Sequence, residues 1–427
     1  MRSVRWSSAG LSSADGSDAV SLGVRLSCYF GAVFLAYGVV VPYFPVWLHA
    51  RGLSPVEIST VTAAPLFVRV LFTPSVLLLA DRLENYRAVL VAMSWSALGL
   101  ALATSAVSGF WTILFAGVAF LLALGTCSPL VDTFAVAGVR AAGLDYGRMR
   151  LWGSITFIAA NFAGGVLIEA LGGGFGIWLI AGATALTVLA AHMLPEPPER
   201  KKPAPGPLAL TGWRTSFPVR LLTSRLFLLF LVAIGCTHGA HATFYTFGAL
   251  HWQAEGLSAT WVGTLWAIGV TAEVILFAFS APVVRRFNPA QLIVAGAGAA
   301  VVRWSVMAFD PPLVLLVPLQ TLHALTYSAA HLGAILFITR AVSPKGQGSA
   351  QAFYSVIAAG VILGLVGLIS GALYEPLGGR VYLVPAFVSL LGLGAGLLLL
   401  RGWSGGPVWT EAESPAPASP TTQAAAG

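Results

Sequence analysis

Long apolar runs separated by short polar breaks occupy most of this chain, and each run can cross a ~30 Å hydrocarbon layer as a helix. Twelve runs lie between charged or Pro/Gly-rich breaks, approximately at 22–48, 57–80, 87–107, 110–138, 151–171, 174–194, 225–250, 258–282, 290–308, 311–339, 349–373 and 379–400. None shows the strict alternation of a membrane barrel strand. In lipid a helix satisfies its own backbone groups. The pattern therefore predicts an all-α membrane protein with twelve transmembrane helices. The hydrophilic, proline-rich stretch from Pro195 to Pro218 splits them into two pseudo-symmetric six-helix bundles. The expected parts are a cytoplasmic tail (1–20), an N-terminal bundle (21–194), a cytoplasmic linker (195–220), a C-terminal bundle (221–401) and a disordered cytoplasmic tail (402–427).

Composition supports the same solvent. Apolar residues make up 57% of the chain and charged residues 9%, against about 25% charged in soluble domains. A hydrated surface cannot be built from so few charges. The net charge of +7 does not indicate nucleic acid, because the cations sit in short loops rather than along a groove. All but four of the 23 Lys and Arg fall on the side shared by both termini and the linker. Arg51 and Arg380 lie opposite, while Arg69 and Arg303 lie within spans. The positive-inside rule then makes both termini cytoplasmic in a multi-pass inner-membrane protein. Cys28, Cys127 and Cys236 fall inside apolar runs at no metal-ligand spacing, and read as buried hydrophobes.

The two halves repeat. A constant offset places Gly52-Leu53-Ser54 on Gly256-Leu257-Ser258, Thr60 on Thr264, Ala63 on Ala267, Arg69 on Glu273 and Tyr37 on His241. Parallel six-helix repeats around a midplane site are a transporter architecture.

Charges inside spans are costly and mark candidate functional positions. Arg69 and Glu273 lie midway along the second and eighth spans, Asp132 towards the inner end of the fourth, and Arg303 towards the outer end of the ninth. They either pair with one another or face a cavity. On the seventh span His238, His241 and Tyr245 share one helical face, and on the tenth so do His323, Tyr327 and His331. Such stripes in lipid face protein or water. Without Cys or a carboxylate on the stripe they are not expected to hold a metal. Trp266, two turns before Glu273, is either a core ring or a substrate platform. Gly360, Gly364, Gly367 and Gly371 line one side of the eleventh span, where small residues let helices approach closely.

Several stretches carry a family resemblance: DYGRMRLWGS from Asp145 to Ser154, Thr237 to His241 running on through Phe244-Tyr245 to Trp252, Pro129 to Asp132, and Leu265-Trp266 leading to Glu273. On these the chain resembles the major facilitator superfamily from Ser21 to Arg401, and within it the phenylpropionate-permease family of proton symporters. The superfamily signature after the second helix keeps Asp81-Arg82 and Arg87, but Leu77 and Glu84 stand where glycines are usual.

The resemblance implies alternating access around a cavity walled by the first, fourth, seventh and tenth helices, with a small aromatic acid as substrate. Tyr37, Arg69, His238, His241, Tyr245, Trp266, His323, Tyr327 and His331 are the expected substrate contacts. Glu273 and Asp132 are expected to couple protons, and Asp81, Arg82 and Arg150 to form the conformational gate. The expected partners are a small molecule, protons and the lipid bilayer, for a monomer with no cofactor beyond the proton gradient. A sugar or nucleoside symporter and an efflux pump remain the alternatives. An enzyme is not expected, since no nucleophile triad, nucleotide-binding glycine loop or metal cluster is present.

Overall fold

A computed structural model describes residues 16–195 and 217–408, so most of the two expected tails and of the linker lies outside the described residues. The first six spans are Gly16–Ala50, Pro55–Leu83, Tyr86–Ala106, Phe110–Ala142, Tyr146–Leu171 and Gly176–Met193. A short helix, Phe217–Thr223, precedes the second set. The seventh span is broken into Arg225–Gly239 and Ala242–Ala254, and the eighth and ninth are Ala259–Ala278 and Pro289–Met307. The tenth joins Leu313–Thr321 to Ala330–Ala341 through a π turn at Ala324–Ala329. The eleventh joins Gln347–Val356 to Leu363–Leu377 through a π turn at Ile357–Ile362, and the twelfth is Leu383–Gly402. A continuous apolar helical stretch runs from Gln347 to Gly402, 56 residues. A straight helix of that length would be about 80 Å long, far beyond one crossing, and the 3₁₀ turn Gly378–Tyr382 divides it into two. The expected twelve helices are therefore present.

The Gly-Leu-Ser repeat has a local cause. Gly52 and Gly256 take φ of +82° and +88°, the left-handed geometry that ends a helix and that glycine adopts without a Cβ penalty. The amides of Leu53 and Leu257 then donate back to the carbonyls of Leu48 and Trp252, at 3.2 and 2.8 Å. Ser54 and Ser258 cap the next helices, accepting from the amides of Glu57 and Trp261. In the second span Glu57 completes the cap by accepting from the Ser54 amide at 2.8 Å. The eighth span has Trp261 at that position and no acid of its own. Glu169, from the end of the fifth span, instead accepts from the Thr260 amide at 2.9 Å. A carboxylate of one half thus caps a helix of the other, where the helix dipole favours negative charge.

Lipid gives helices no hydrophobic reason to associate, so contact depends on close packing. A Cβ at Gly263 would meet the Asn161 carbonyl, and one at Gly165 would meet the Ala259 carbonyl, so the fifth and eighth spans touch backbone to backbone. The Tyr43 hydroxyl donates to the Asn161 carbonyl at 2.6 Å beside this crossing. The glycine stripe of the eleventh span packs on the second, Gly360 against Leu66 and Val70, Gly364 against Phe67, and Gly371 against Ser59. The hydrogen bonds Thr62–Thr246 and Thr260–Glu169, which link the halves, lie on the side away from the termini. We call that side distal and the other terminal.

Glu84 occupies a left-handed position (φ 54°, ψ 21°) in the loop after the second span, where the superfamily signature has glycine. A side chain there costs about 1 kcal/mol. Glu84→Gly is expected to raise the thermal midpoint of the detergent-solubilised protein by about one degree. Gly263→Val is expected to prise the distal side apart. Alkylation of a cysteine placed at Val41 by an impermeant reagent on the distal side should quicken, and an unchanged rate would count against this packing as the distal closure.

Candidate functional site

Between the halves lies a cavity of about 410 Å³, within the size range of small-ligand sites. The N-terminal half contributes Phe34, Tyr37, Arg69, Arg150 and Phe157 to its wall. From the other half come Tyr245, Trp266, Glu273, Gln320, His323 and Tyr327, with Arg303 behind them. Aromatic rings are the commonest lining side chains, and the ionisable groups differ in kind between the halves.

On the C-terminal side the polar groups form a network around Arg303, whose Nε alone of its three nitrogens has no hydrogen bond among the described residues. Arg303 is buried at 1% exposure, and its Nη2 donates to Gln320 Oε1 at 2.6 Å. Its Nη1 lies 3.3 Å from both His323 Nδ1 and Thr326 Oγ1, and its guanidinium sits 4.6 Å from the Trp304 ring centroid. A guanidinium only donates, so His323 Nδ1 accepts and the neutral ring carries its proton on Nε2. That N–H points at Glu273 Oε2, 3.3 Å away. His241 sits at the break of the seventh span. Its Nδ1 donates to the His238 carbonyl at 3.1 Å, and its Nε2 accepts from Thr326 at 3.1 Å. Arg303 thereby fixes the tautomer of one histidine directly, and that of the other through Thr326.

The N-terminal side is different. Tyr37 donates to the Leu124 carbonyl at 2.9 Å, and Arg150 lies 3.6 Å above the Phe34 ring. Among the described residues neither Arg69 nor Arg150 makes an ion pair. The four charges inside spans do not pair with one another. Glu273 takes His323, Arg303 takes neutral acceptors, and Asp132 accepts from the Tyr146 hydroxyl at 2.8 Å.

Of the expected substrate contacts, Tyr37, Arg69, Tyr245, Trp266, His323 and Tyr327 line the cavity. Trp266 stacks on Phe244 at 4.4 Å. His238, His241 and His331 lie behind the wall, held by the Tyr327 carbonyl, Thr326 and Tyr354 respectively. Glu273 is in the cavity, while Asp132 is outside it on the fourth span. The expected gate residues are not together. Asp81 and Arg82 are exposed at the terminal side, Asp81 accepting from Tyr86 at 2.7 Å, and Arg150 is a cavity residue. Gln320 and Thr326 were not anticipated. The signal for Gln320 was present, since Gln320, His323 and Tyr327 recur at helical spacing.

One cluster of metal-ligand type occurs among the described residues, His251, Glu255 and Asp310 on the distal side. Both His251 nitrogens are already engaged, by Asp310 at 2.7 Å and Tyr374 at 3.3 Å, so the cluster reads as a structural tie.

Comparison with known proteins agrees with this architecture. A protein of Escherichia coli (strain K12) named "Probable 3-phenylpropionic acid transporter" is 33% identical over 84% of this chain and 92% of its own length. A "Maltose permease" of Geobacillus stearothermophilus is 27% identical over 87% of this chain and 93% of its own. Among solved structures, the nucleoside transporter NupG superposes with a TM-score of 0.74 at 18% identity, covering 90% of this chain and all of that one. A peptide transporter of the POT family superposes at 0.67 with 11% identity, over 90% and 97% of the two chains. The MFS_1 like family model matches residues 24–384, and the chain belongs to that family of major facilitator secondary transporters.

Proposed function

We propose that this transporter takes up a small aromatic carboxylate of the 3-phenylpropionate kind, across the inner membrane and together with a proton. The observation that carries the substrate class is the pair of cavity arginines, Arg69 and Arg150, neither with an ion-pair partner among the described residues. A carboxylate supplies the missing charge and suits the bidentate guanidinium fork. The substrate ring has Tyr37, Phe157, Tyr245 and Trp266 to stack against. The name of the E. coli relative is consistent with this class.

Glu273 is the proton carrier in this reading. His323 cannot accept a second proton without setting an N–H against the Arg303 guanidinium. An incoming proton therefore resides on Glu273, with His323 holding the carboxyl in place. By the positive-inside rule the terminal side is cytoplasmic. The cross-half hydrogen bonds Thr62–Thr246 and Thr260–Glu169 lie distally, so the cavity here is read as inward-facing. A neutral sugar is the second reading, favoured by the maltose permease relative. Its hydroxyls would take hydrogen bonds from the same two arginines.

Labelled 3-phenylpropionate uptake into proteoliposomes, with and without an inward proton gradient, separates the two. Gradient-dependent accumulation is expected in the wild type and its loss in Glu273→Gln. Arg69→Gln and Arg150→Gln are each expected to raise KM about tenfold or more, from the loss of a charge-assisted hydrogen bond. No uptake of the aromatic acid alongside uptake of maltose would overturn the carboxylate reading. Intact accumulation in Glu273→Gln would overturn the role given to that residue.

A further inference from the structure

Three ionisable groups behind the cavity wall have no role in the cycle described so far. His238 and Tyr354 are buried, on the seventh and eleventh spans, and His331 is half-buried on the tenth. The Tyr354 hydroxyl lies 2.7 Å from His331 Nδ1 and 3.2 Å from His238 Nδ1. His238 Nε2 lies 3.2 Å from the Tyr327 carbonyl, which belongs to the π turn of the tenth span.

The positions of the protons follow from what each atom can do. A carbonyl only accepts, so His238 Nε2 carries a proton and, in the neutral ring, Nδ1 does not. The single Tyr354 proton therefore points to His238 Nδ1. His331 Nδ1 must then donate to the Tyr354 oxygen, which leaves the lone pair of its Nε2 with no hydrogen bond among the described residues. One further proton fits without breaking any of these contacts. It binds His331 Nε2 from water, the His331 Nδ1 proton passes to Tyr354, and the Tyr354 proton passes to His238 Nδ1. His238 becomes the cation, His331 is left neutral with its proton on Nε2, and every hydrogen bond persists with its direction reversed where required.

We propose that His331, Tyr354 and His238 form a second proton-binding site, loaded from the terminal side and distinct from Glu273, whose charge acts on the cavity through Tyr327. The Tyr327 ring lies 4.9 Å from His238, 6.2 Å from His331 and 5.4 Å from His323, and it lines the cavity. The other ionisable groups facing the triad are His241 on the seventh span, His323 and Tyr327 on the tenth and Glu273 on the eighth. Of these Glu273 is the anion, and it lies across Tyr327. A proton on the triad adds positive charge behind the wall that meets an anionic substrate. By linkage, substrate binding strengthens proton binding at the triad by the same factor. The transport consequence rests on the proton-coupled reading above, whereas the site itself does not.

The test has two arms, both on the full chain in lipid. In the first, ¹⁵N-histidine NMR reads the tautomers, with His331→Gln identifying the His331 signals among seven histidines. At alkaline pH His331 is expected as the Nδ1–H form, which free histidine disfavours, and Tyr354→Phe is expected to return it to Nε2–H. An Nε2–H His331 in the wild type, or no change in Tyr354→Phe, overturns the site. In the second arm, Tyr354→Phe keeps the ring but removes the relay. Gradient-driven uptake is expected to fall about tenfold relative to substrate counterflow, which needs no net proton movement. Equal effects on both overturn the relay. A wild type indifferent to the gradient overturns the coupling reading instead, and the tautomers then decide the site alone.

Discussion

Hydrocarbon offers a buried polar group no hydrogen-bond partner, and this constraint shapes the whole interior of the protein. Arg303 shows it most fully. A cation at that depth is tolerated only because Gln320, His323, Thr326 and the face of Trp304 surround it. Meeting those needs sets the tautomer of His323, and through it the direction of the N–H that faces Glu273. The chemistry of the C-terminal wall is thus a by-product of solvating one guanidinium. On the opposite wall Arg69 and Arg150 have no comparable cage. The C-terminal wall ties its charges to neighbouring side chains, while the N-terminal wall presents two cations without an ion-pair partner to the cavity. On the function proposed above, that division puts proton handling on one half and anion capture on the other.

Much of this was legible in the sequence. The apolar runs gave twelve spans because a helix that must satisfy its own backbone leaves an unbroken signature. The Gly-Leu-Ser repeat marked the same stop-and-cap turn in both halves, and the glycines of the eleventh span marked its contact with the second. Arg69, Glu273 and the tyrosines of the two stripes were found from depth and helical face alone. The two stripes themselves hold: His323, Tyr327 and His331 stack in turn at 5.4 and 6.2 Å, and His238, His241 and Tyr245 are successive neighbours at 6.4 and 5.7 Å. A shared helical face does not say which of its residues a cavity reaches, and His238 and His331 meet Tyr354 behind the wall. Arg303 was seen as a charge near a membrane end, because its cage comes from the next helix and no spacing within the ninth span encodes it. Arg150 was read as a gate from its motif, whereas its position in the cavity depends on how the fifth span crosses the first and eighth.

The π turns have a structural use. Both lie on spans that flank the seventh, and both replace the regular ladder where another element approaches closely. At Ile357–Ile362 the chain meets Gly235 and Gly239 of the seventh span. At Ala324–Ala329 a backbone carbonyl accepts the His238 side chain. Each π turn presses one side against the seventh span, while Leu325 of the tenth span's turn keeps its side chain exposed.

The cap that Glu169 lends to the eighth span breaks the symmetry of the repeat. The second span closes its own N-terminus with Glu57, but the eighth depends on a carboxylate from the other half. In an alternating-access cycle, opening the distal side would exchange that anion for water at the eighth span, whereas the second span would keep its own. The two halves descend from one pattern, yet they are not interchangeable. A C-terminal half separated from its neighbour would keep the Ser258 cap of its second helix but leave the Thr260 amide to water, whereas the N-terminal half would keep its cap complete. Complementarity between the halves is thus written into the secondary structure itself, beneath the level of side-chain packing.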